Sequence, residues 1–552
     1  MPSDPNPRAQ SAARAPIDVR RFPWIRKLAT DYAFEFSALS GFFAADPALP
    51  DSWRDMVART LAYERPREGV ADCLAAQQAS RRAPAEAVTA AARLRDARTV
   101  AVVTGQQAGL FGGPLYTLLK ALSALKLAER LSAEQGTPAV AVFWVEAEDH
   151  DWDEVSACTV LDGDLQPRRI ALGTPEGAGR VPVAAVHLDD AAGVEAALTA
   201  LEAALPPSEF VGPLMASLRE AYNPGRSMAD AFARWIESVL GRRGLVVFDA
   251  SDRACKPLVS DVFRREIEAP DRTTQLVSTA GAALEQLGYH AQVTPQEGPA
   301  VFHLDGQRTS IVHERGQFVI GRTSCSAAEL LARVTENPEA FSPNVLLRPI
   351  VQDTLFPTVC YVSGPSELAY QAQLRGVYEH FGVPMPLFYP RVSATILDSG
   401  AVRFLDRYDV PFDAFQAQDD GALNHLLQTQ LPPHVEEIFQ QAARAIAEQM
   451  SAVEQAVPAI DPTLAGAARS TLGKMQHDLK AFHGKMIQAA KRRDDTLRRQ
   501  FERVRLQAFP GGHPQERTVA FVSFLARYGP ALVDRLDETL PLDLGQHWVV
   551  TI

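Results

Sequence analysis

The stretch RTVAVVTGQQAGLFGGPLYTLLKALSALKLAERLSAEQGTPAVAVFWV, residues 98–145, decides the fold. It opens with TVAVVT, a short β-branched apolar run of the kind buried on both faces of a sheet. GQQAGLFGG follows, Pro114 takes a first helical position, and LYTLLKALSALKLAERL repeats its apolar residues at helical spacing. Gly136 closes that helix, and AVAVFWV is a second buried strand. Strand, helix and strand in this order make a βαβ unit, which predicts an α/β fold with a parallel sheet and right-handed crossovers.

Outward from this unit the theme recurs twice. GLVVFDA (244–250) is a strand ending in an acid, and TVCYVSGPSELAYQAQL (358–374) is a strand, a Gly-Pro turn and a helix. Residues near 155–240 and 275–335 carry Gly and Pro punctuation, and both are expected to be short strands inserted into a core spanning 21–397.

From Asp398 the character changes. Apolar residues at Val435, Phe439, Ala442, Ile446, Met450, Val453 and Val457 step by three and four, which predicts an amphipathic helix. Beyond Pro458 and Pro462 a second stripe runs through Leu472, Met475, Leu479, Phe482 and Met486. It resumes at Leu497, Phe501 and Val504 after a register slip at Arg493. At ~1.5 Å per residue the second helix would reach roughly 60–70 Å. An antiparallel helical coiled coil is therefore expected over 398–509, burying its stripes on each other or on another subunit. Residues 510–552 return to mixed composition and end in the strand-like HWVVTI. Residues 1–20, rich in Pro, Ala and Arg but without an apolar segment, predict a flexible lead-in rather than a secretion signal.

A chain of 552 residues exceeds one ordinary core, and 46% apolar content is that of a globular protein. Its 67 acidic and 55 basic residues leave a net charge of −12. That balance argues against nucleic acid or an anionic membrane as partner, while leaving room for one local basic pocket. No apolar run reaches the ~18 residues of a membrane span, so the expected compartment is the cytoplasm. Cys73, Cys158, Cys255, Cys325 and Cys360 are odd in number and form no CxxC, which points to reduced thiols rather than a zinc ribbon, a redox pair or a disulfide framework.

Ligands of open α/β sheets sit beyond the carboxyl ends of the strands, so three strand-end loops are candidates for chemistry. In the first, Thr104 to Pro114, glycines permit close backbone approach to an anion, Gln106 and Gln107 offer uncharged donors and acceptors, and Tyr116 and Lys120 follow within two turns. It matches neither GxGxxG nor GxxxxGK, and a tight turn with packing glycines explains it equally well. The second, Glu148-Asp149-His150-Asp151-Trp152-Asp153-Glu154, sets five carboxylates around one histidine. Those groups suit an ammonium ion, or orientation of His150 as a general base, or a solvated acidic cap. One histidine without a second spaced ligand predicts no metal site. The third, Ser363-Gly364-Pro365-Ser366-Glu367, is a helix start flanked by Arg348, Gln352, Asp353 and Tyr370. His477 and His483, set among Lys474, Lys480, Lys485, Lys491, Arg492 and Arg493, belong to a solvated face of the hairpin.

Taken together, TGQQAGLFGGPLYTLLKALSALKLA, FWVEAEDHDWDEV, LRPIVQDTLFPTVCYVSGPSELAYQAQL and FPGGHPQERTVAFVSFLARYG resemble, in order and spacing, the motifs of the cysteine ligases of bacillithiol biosynthesis, the BshC family. The resemblance covers about residues 15–552. It implies a Rossmann-like core related to nucleotidyltransferases, two connecting insertions, and a coiled coil through which two copies pair. It also implies ligation of the cysteine carboxyl to the amine of glucosaminyl malate. Carried onto this chain, it implies a core pocket lined by Gly105, Gln106, Gln107, Gly112, Tyr116, Asp149, His150, Gly364 and Glu367. His150, Asp149 and Gln107 would be catalytic there. It implies an adenine nucleotide (ATP or ADP) between core and coiled coil, near Gln515, Glu516 and Arg517. The HIGH-like and KMSKS-like motifs of related ATP-using ligases are absent from this chain, and the tail reads GGHPQER where the family usually has an Asn-Leu type pairing. A nucleotide-dependent transferase on another small molecule, or a non-catalytic scaffold, remains open on the residues alone.

Overall fold

The computed structural model describes residues 16–189, 193–294, 298–429, 433–493 and 495–552. Most of the expected lead-in thus lies outside the described residues. Two compact units are present, one formed by the chain up to Thr395 together with Gln515–Val550, the other by Ile396–Pro514.

The first unit is organised by a five-stranded parallel sheet. Its strands are β1 (Val100–Gln107), β2 (Ala139–Glu146), β3 (Val246–Asp249), β4 (Thr358–Ser363) and β5 (Leu387–Pro390), in the order β5-β4-β1-β2-β3. Val100 to Val103, Val142 to Val145 and Val359 to Val362 are almost fully buried, as continuous apolar strands covered on both faces should be. Helix α1 (Leu115–Gln135) joins β1 to β2, with Pro114 as its N-cap and Gly136 in the left-handed C-cap conformation at φ 62°. From β1 the chain builds one way through β2 and β3, then returns to the other side of β1 with β4 and β5. The strand order therefore reverses between β1 and β4, where a crevice opens beyond the carboxyl ends.

The inserted segments correct part of the sequence reading. Among the described residues, 155–240 hold one strand pair, Ala157–Leu161 with Pro167–Ala171, followed by helices at Val194–Ala204, Val211–Ala221 and Met228–Leu240. VEAALTALEAA and MADAFARWIESVL bury Leu198, Leu201, Phe232, Trp235 and Ile236 at helical spacing, and that periodicity outweighs the Gly and Pro around it. In the second insertion Arg272–Gln286 is helical. The strands Val301–Leu304, Arg308–Glu314, Gln317–Ile320 and Thr323–Cys325 then join Phe341–Pro343 in an antiparallel sheet. HWVVTI contributes a strand, Gln546–Thr551, which pairs antiparallel with Ile17–Asp18.

The second unit contains long helical segments at Pro433–Ala456, Leu464–Arg493 and Asp495–Ala508, and the second stripe runs along the last two, on either side of residue 494, which lies outside the described residues. Phe439 faces Phe482 with ring centroids 5.8 Å apart, and the His483 ring meets the Glu436 carboxylate at 2.9 Å. Much of the stripe is only half-buried, and Ile438, Val453, Ile460, Met475 and Phe482 are exposed. Leu497, Phe501 and Val504 are buried, Phe501 packing 4.6 Å from Phe415. The side chains of Val435, Lys491, Arg492 and Arg493 lie outside the described residues.

Candidate active site

The crevice between β1 and β4 holds a cavity of about 350 Å³. Each wall comes from a strand end. β1 ends in Gly105, Gln106 and Gln107, β2 ends in Trp144 and Glu146, and β4 runs through Tyr361 into Gly364 and Glu367. Arg391 follows β5, Arg348 begins a helix (Arg348–Leu355), and Arg517 comes from the tail. Gly105 is required by the packing of its own strand pair. It lies opposite Trp144 in the β1–β2 register, and a Cβ there would come 2.8 Å from the Trp144 carbonyl oxygen.

Four cations and three carboxylates face this space, and most are matched. The buried Lys120 Nζ, one turn beyond Tyr116, lies 2.5 Å from Glu367 Oε2 and donates to the Gly105 carbonyl at 2.8 Å. Burial raises the Glu367 carboxyl, but the Lys120 ammonium together with its hydrogen-bond donors holds the group below its ordinary value. The Gly364 N–H and the Tyr361 hydroxyl also donate to Glu367, at 2.6 and 3.0 Å. Arg391 grips Glu516 through both terminal nitrogens, at 2.9 and 2.7 Å, a bidentate pair buried on both sides. Arg348 donates to the Tyr370 hydroxyl at 2.9 Å and to Gln352 Oε1 at 3.1 Å, and stands 3.9 Å from Glu146. Arg517 makes no ion pair among the described residues. Glu146 lines the cavity and accepts from Trp144 Nε1 at 3.1 Å and from the Glu148 N–H at 3.3 Å.

The expected site residues separate into two groups. Gly105, Gln106, Gln107, Tyr116, Gly364, Glu367 and Arg517 line the cavity, with Gln106 Nε2 donating to the Tyr116 hydroxyl at 3.1 Å. Gly112, Asp149, His150, Gln515 and Glu516 do not line it. Gly112 sits behind the wall at φ +94°, where a Cβ would collide with the Phe521 ring at 2.2 Å, so its role is in packing the turn. Trp235 Nε1 and the Tyr222 hydroxyl pin the same turn through the carbonyls of Phe111 and Gly109. Asp149 is held by Arg308 at 3.2 Å and by Gln107 at 3.5 Å, while His150 is exposed beside it. The physical reason is strand order: the acidic loop follows β2, one strand removed from the reversal, so of its carboxylates only the last, Glu154, lines the crevice, with Glu146 at the end of β2 itself. Within that loop Glu148 is buried against Lys256, and burial lifts its carboxyl to about 7 even with the ammonium opposing.

Gln515 and Glu516 are buried, and Glu516 is fully engaged by Arg391, the Ser393 hydroxyl and the Ala394 N–H. Of the expected trio, Arg517 alone lines the cavity. Arg391, unnoticed in the sequence, follows LFYP; a cation directly after a buried strand was the signal that could have found it. Among the described residues no cluster of His, Cys, Asp and Glu could hold a metal ion, and no helix is long and apolar enough to cross a membrane.

Comparison with known proteins places this architecture. Residues 16–392 match the family model described as "Bacillithiol biosynthesis BshC, N-terminal Rossmann-like domain", and residues 394–552 match "Bacillithiol biosynthesis BshC, C-terminal coiled-coil domain". A protein of Salinibacter ruber named "Putative cysteine ligase BshC" is 35% identical over 559 residues, covering 99% of this chain and all of the relative. Proteins of the same name from Koribacter versatilis and Bacillus licheniformis are 34% and 30% identical, covering 94% and 83% of this chain and 96% and 86% of their own lengths. Two family models that between them span nearly the whole chain, and relatives aligned almost end to end, show that the chain belongs to the BshC family of bacillithiol biosynthesis.

Proposed function

We propose that the chain is an enzyme of bacillithiol biosynthesis that ligates the carboxyl group of cysteine to the amine of glucosaminyl malate in the cytoplasm. The observation that carries this reading is the charged cavity at the strand-order reversal. There Lys120, Arg348, Arg391 and Arg517 supply positive charge for the carboxylates of the two substrates, and Glu146 stands beside them. Tyrosines 116, 361 and 370 give flat faces and hydroxyls suited to a sugar ring.

The attacking amine must lose a proton. Glu367 is occupied by Lys120, and Asp149 and His150 lie off the cavity lining, so Glu146 is the carboxylate best placed to accept it. Gly105, Gln106, Gln107, Tyr116, Gly364 and Glu367 hold and orient the substrates in this scheme. An amide does not form from a free carboxylate at neutral pH unless the acid is activated, because a catalyst lowers barriers and leaves equilibria alone. The energy must enter with a donor, and an adenine nucleotide is the proposed source. Of the tail residues expected near it, Arg517 lines the cavity. The exposed Ile438, Val453, Met475 and Phe482 suit a coiled-coil contact with a second copy. Light scattering should then report a dimer for the wild type and a monomer for a Phe482→Lys, Ile438→Lys variant.

The deciding experiment incubates the protein with cysteine and glucosaminyl malate, with and without ATP, and weighs the products. A product of the summed mass less one water supports ligation; its absence under every donor tried overturns the reading.

A further inference from the structure

Beside the crevice lies a second, smaller cavity of about 250 Å³. The two share one wall, built from Gln106, Gln107, Tyr116, Glu154 and Arg517. Beyond that wall the character of the lining differs. The larger cavity has Lys120, Arg348 and Arg391, whereas the smaller one continues into Pro114, Val155, Ala157, Cys158 and Ala520 and has no further charged group.

Its charged groups are therefore one carboxylate, Glu154, and one guanidinium, Arg517. We propose that the smaller cavity is an amino-acid subsite that takes an α-amino acid with a short, uncharged side chain as its zwitterion. This rests on the ligase reading above and assigns one of its two substrates to a place. The α-ammonium goes to Glu154 and to Gln107 Oε1, a buried acceptor without a partner among the described residues. An acceptor buried in that way is destabilising until a donor arrives, which favours a ligand that brings N–H groups. The α-carboxylate goes to Arg517, the cation of the crevice that makes no ion pair among the described residues; Lys120, Arg391 and Arg348 each have a carboxylate within 4 Å.

The side chain then enters the recess of Val155, Ala157 and Cys158. A charged side chain would find no counter-ion there and would lose its hydration. The Cys158 thiol adds no charge at neutral pH, because burial pushes it up to about 12. Arg517 walls both cavities, so the carboxylate it holds faces the chamber where the amine of the second substrate lies. The two reacting groups meet at the shared wall.

Calorimetric titration of the full-length protein with reduced L-cysteine, L-serine, L-aspartate and L-lysine tests this. Wild type should bind L-cysteine and, more weakly, L-serine, and neither charged amino acid. Ala157→Phe, which fills the recess, should weaken L-cysteine binding by about 30-fold or more, and glucosaminyl malate binding by less than about threefold. Glu154→Gln, which keeps size and removes charge, should weaken L-cysteine binding to a similar degree, and it decides the matter if Ala157→Phe fails to fold. Unchanged L-cysteine affinity in the folded variants, equal binding of L-lysine or L-aspartate, or no binding of L-cysteine by the wild type would each overturn the assignment. Binding of L-cysteine that depends on Ala157, without any ligated product, would instead sink the ligase reading and leave the subsite standing. Ligated product with an unchanged cysteine KM in Ala157→Phe would do the reverse.

Discussion

The acidic loop after β2 and the Gly-Pro turn after β4 are both strand-end segments dense in polar side chains, yet they meet the crevice very differently. The turn after β4 places Gly364, Pro365, Ser366 and Glu367 on the cavity in succession. The acidic loop is longer and carries more charge, but of its five carboxylates only the last, Glu154, lines the cavity. What separates them is their strand's position in the sheet, since β4 borders the reversal and β2 does not. Chemical richness of a loop is thus a weaker guide to function than its distance from the switch in strand order.

The sharpest way to break this comparison is Glu146→Gln. If the carboxylate at the end of β2 accepts the amine proton, turnover should fall by about 10²–10⁴-fold with little change in the KM for glucosaminyl malate, as loss of a general base usually does. Steady-state rates followed by product mass would show it. Near-wild-type turnover would return the role to the loop beyond.

Lys120→Met tests the β4 side. It removes the ammonium that holds Glu367, leaving a carboxylate in a largely buried wall, and breaking such a pair from one side costs about 3–5 kcal/mol. Because Glu367 borders the cavity and water can reach it, the lower end of that range is expected in urea unfolding. A Lys120→Met, Glu367→Gln double variant should recover much of the loss.

The tail that supports the same wall has its own signature. His547 is buried between the hydroxyls of Ser393 and Thr395, and burial pushes its imidazole down to about 4. The unfolded chain takes up a proton near pH ~6.5 while the folded one stays neutral, so this part of the stability is whole above that pH and drains away as pH falls towards 4. Between pH 7 and pH 4.5 wild type should lose about 2–3 kcal/mol that His547→Gln does not lose, read as the difference in the two urea-unfolding profiles. Parallel profiles would mean that the imidazole is charged in the folded protein.

Much of this was legible in the residues. TVAVVT and AVAVFWV on either side of a 3.6-period helix dictate a buried βαβ unit, and Pro114 and Gly136 mark where α1 starts and stops. The three candidate loops were also visible as strand ends. Sheet order was not, because a crossover can return its strand to either side of β1 without any change in local pattern. That missing fact is why Gln106 and Gly364 could not be seen to share a crevice that excludes His150. The helices within 155–240 were hidden for another reason: the Gly and Pro residues of the linkers masked the amphipathic runs they separate. Arg391 and Lys120 acquire meaning only through distant partners, Glu516 and Glu367, and sequence spacing carries no trace of those pairs.

The smallest expected effect completes the comparison. His150 is the lone histidine of the acidic loop, and its residue type alone made it the natural candidate for a general base near neutral pH. In the structure its ring is solvent-exposed, 3.1 Å from an Asp149 carboxylate that Arg308 also holds, and neither residue lines the crevice. Substituting an exposed side chain away from a site usually changes free energies by no more than about 0.5 kcal/mol, or roughly twofold in rate. His150→Ala should therefore keep turnover within about twofold of wild type, whereas a catalytic base in that position would cost about 100-fold or more. A loss of that size would show that the acidic loop closes onto the crevice during the reaction, and strand order would then cease to explain which loops take part.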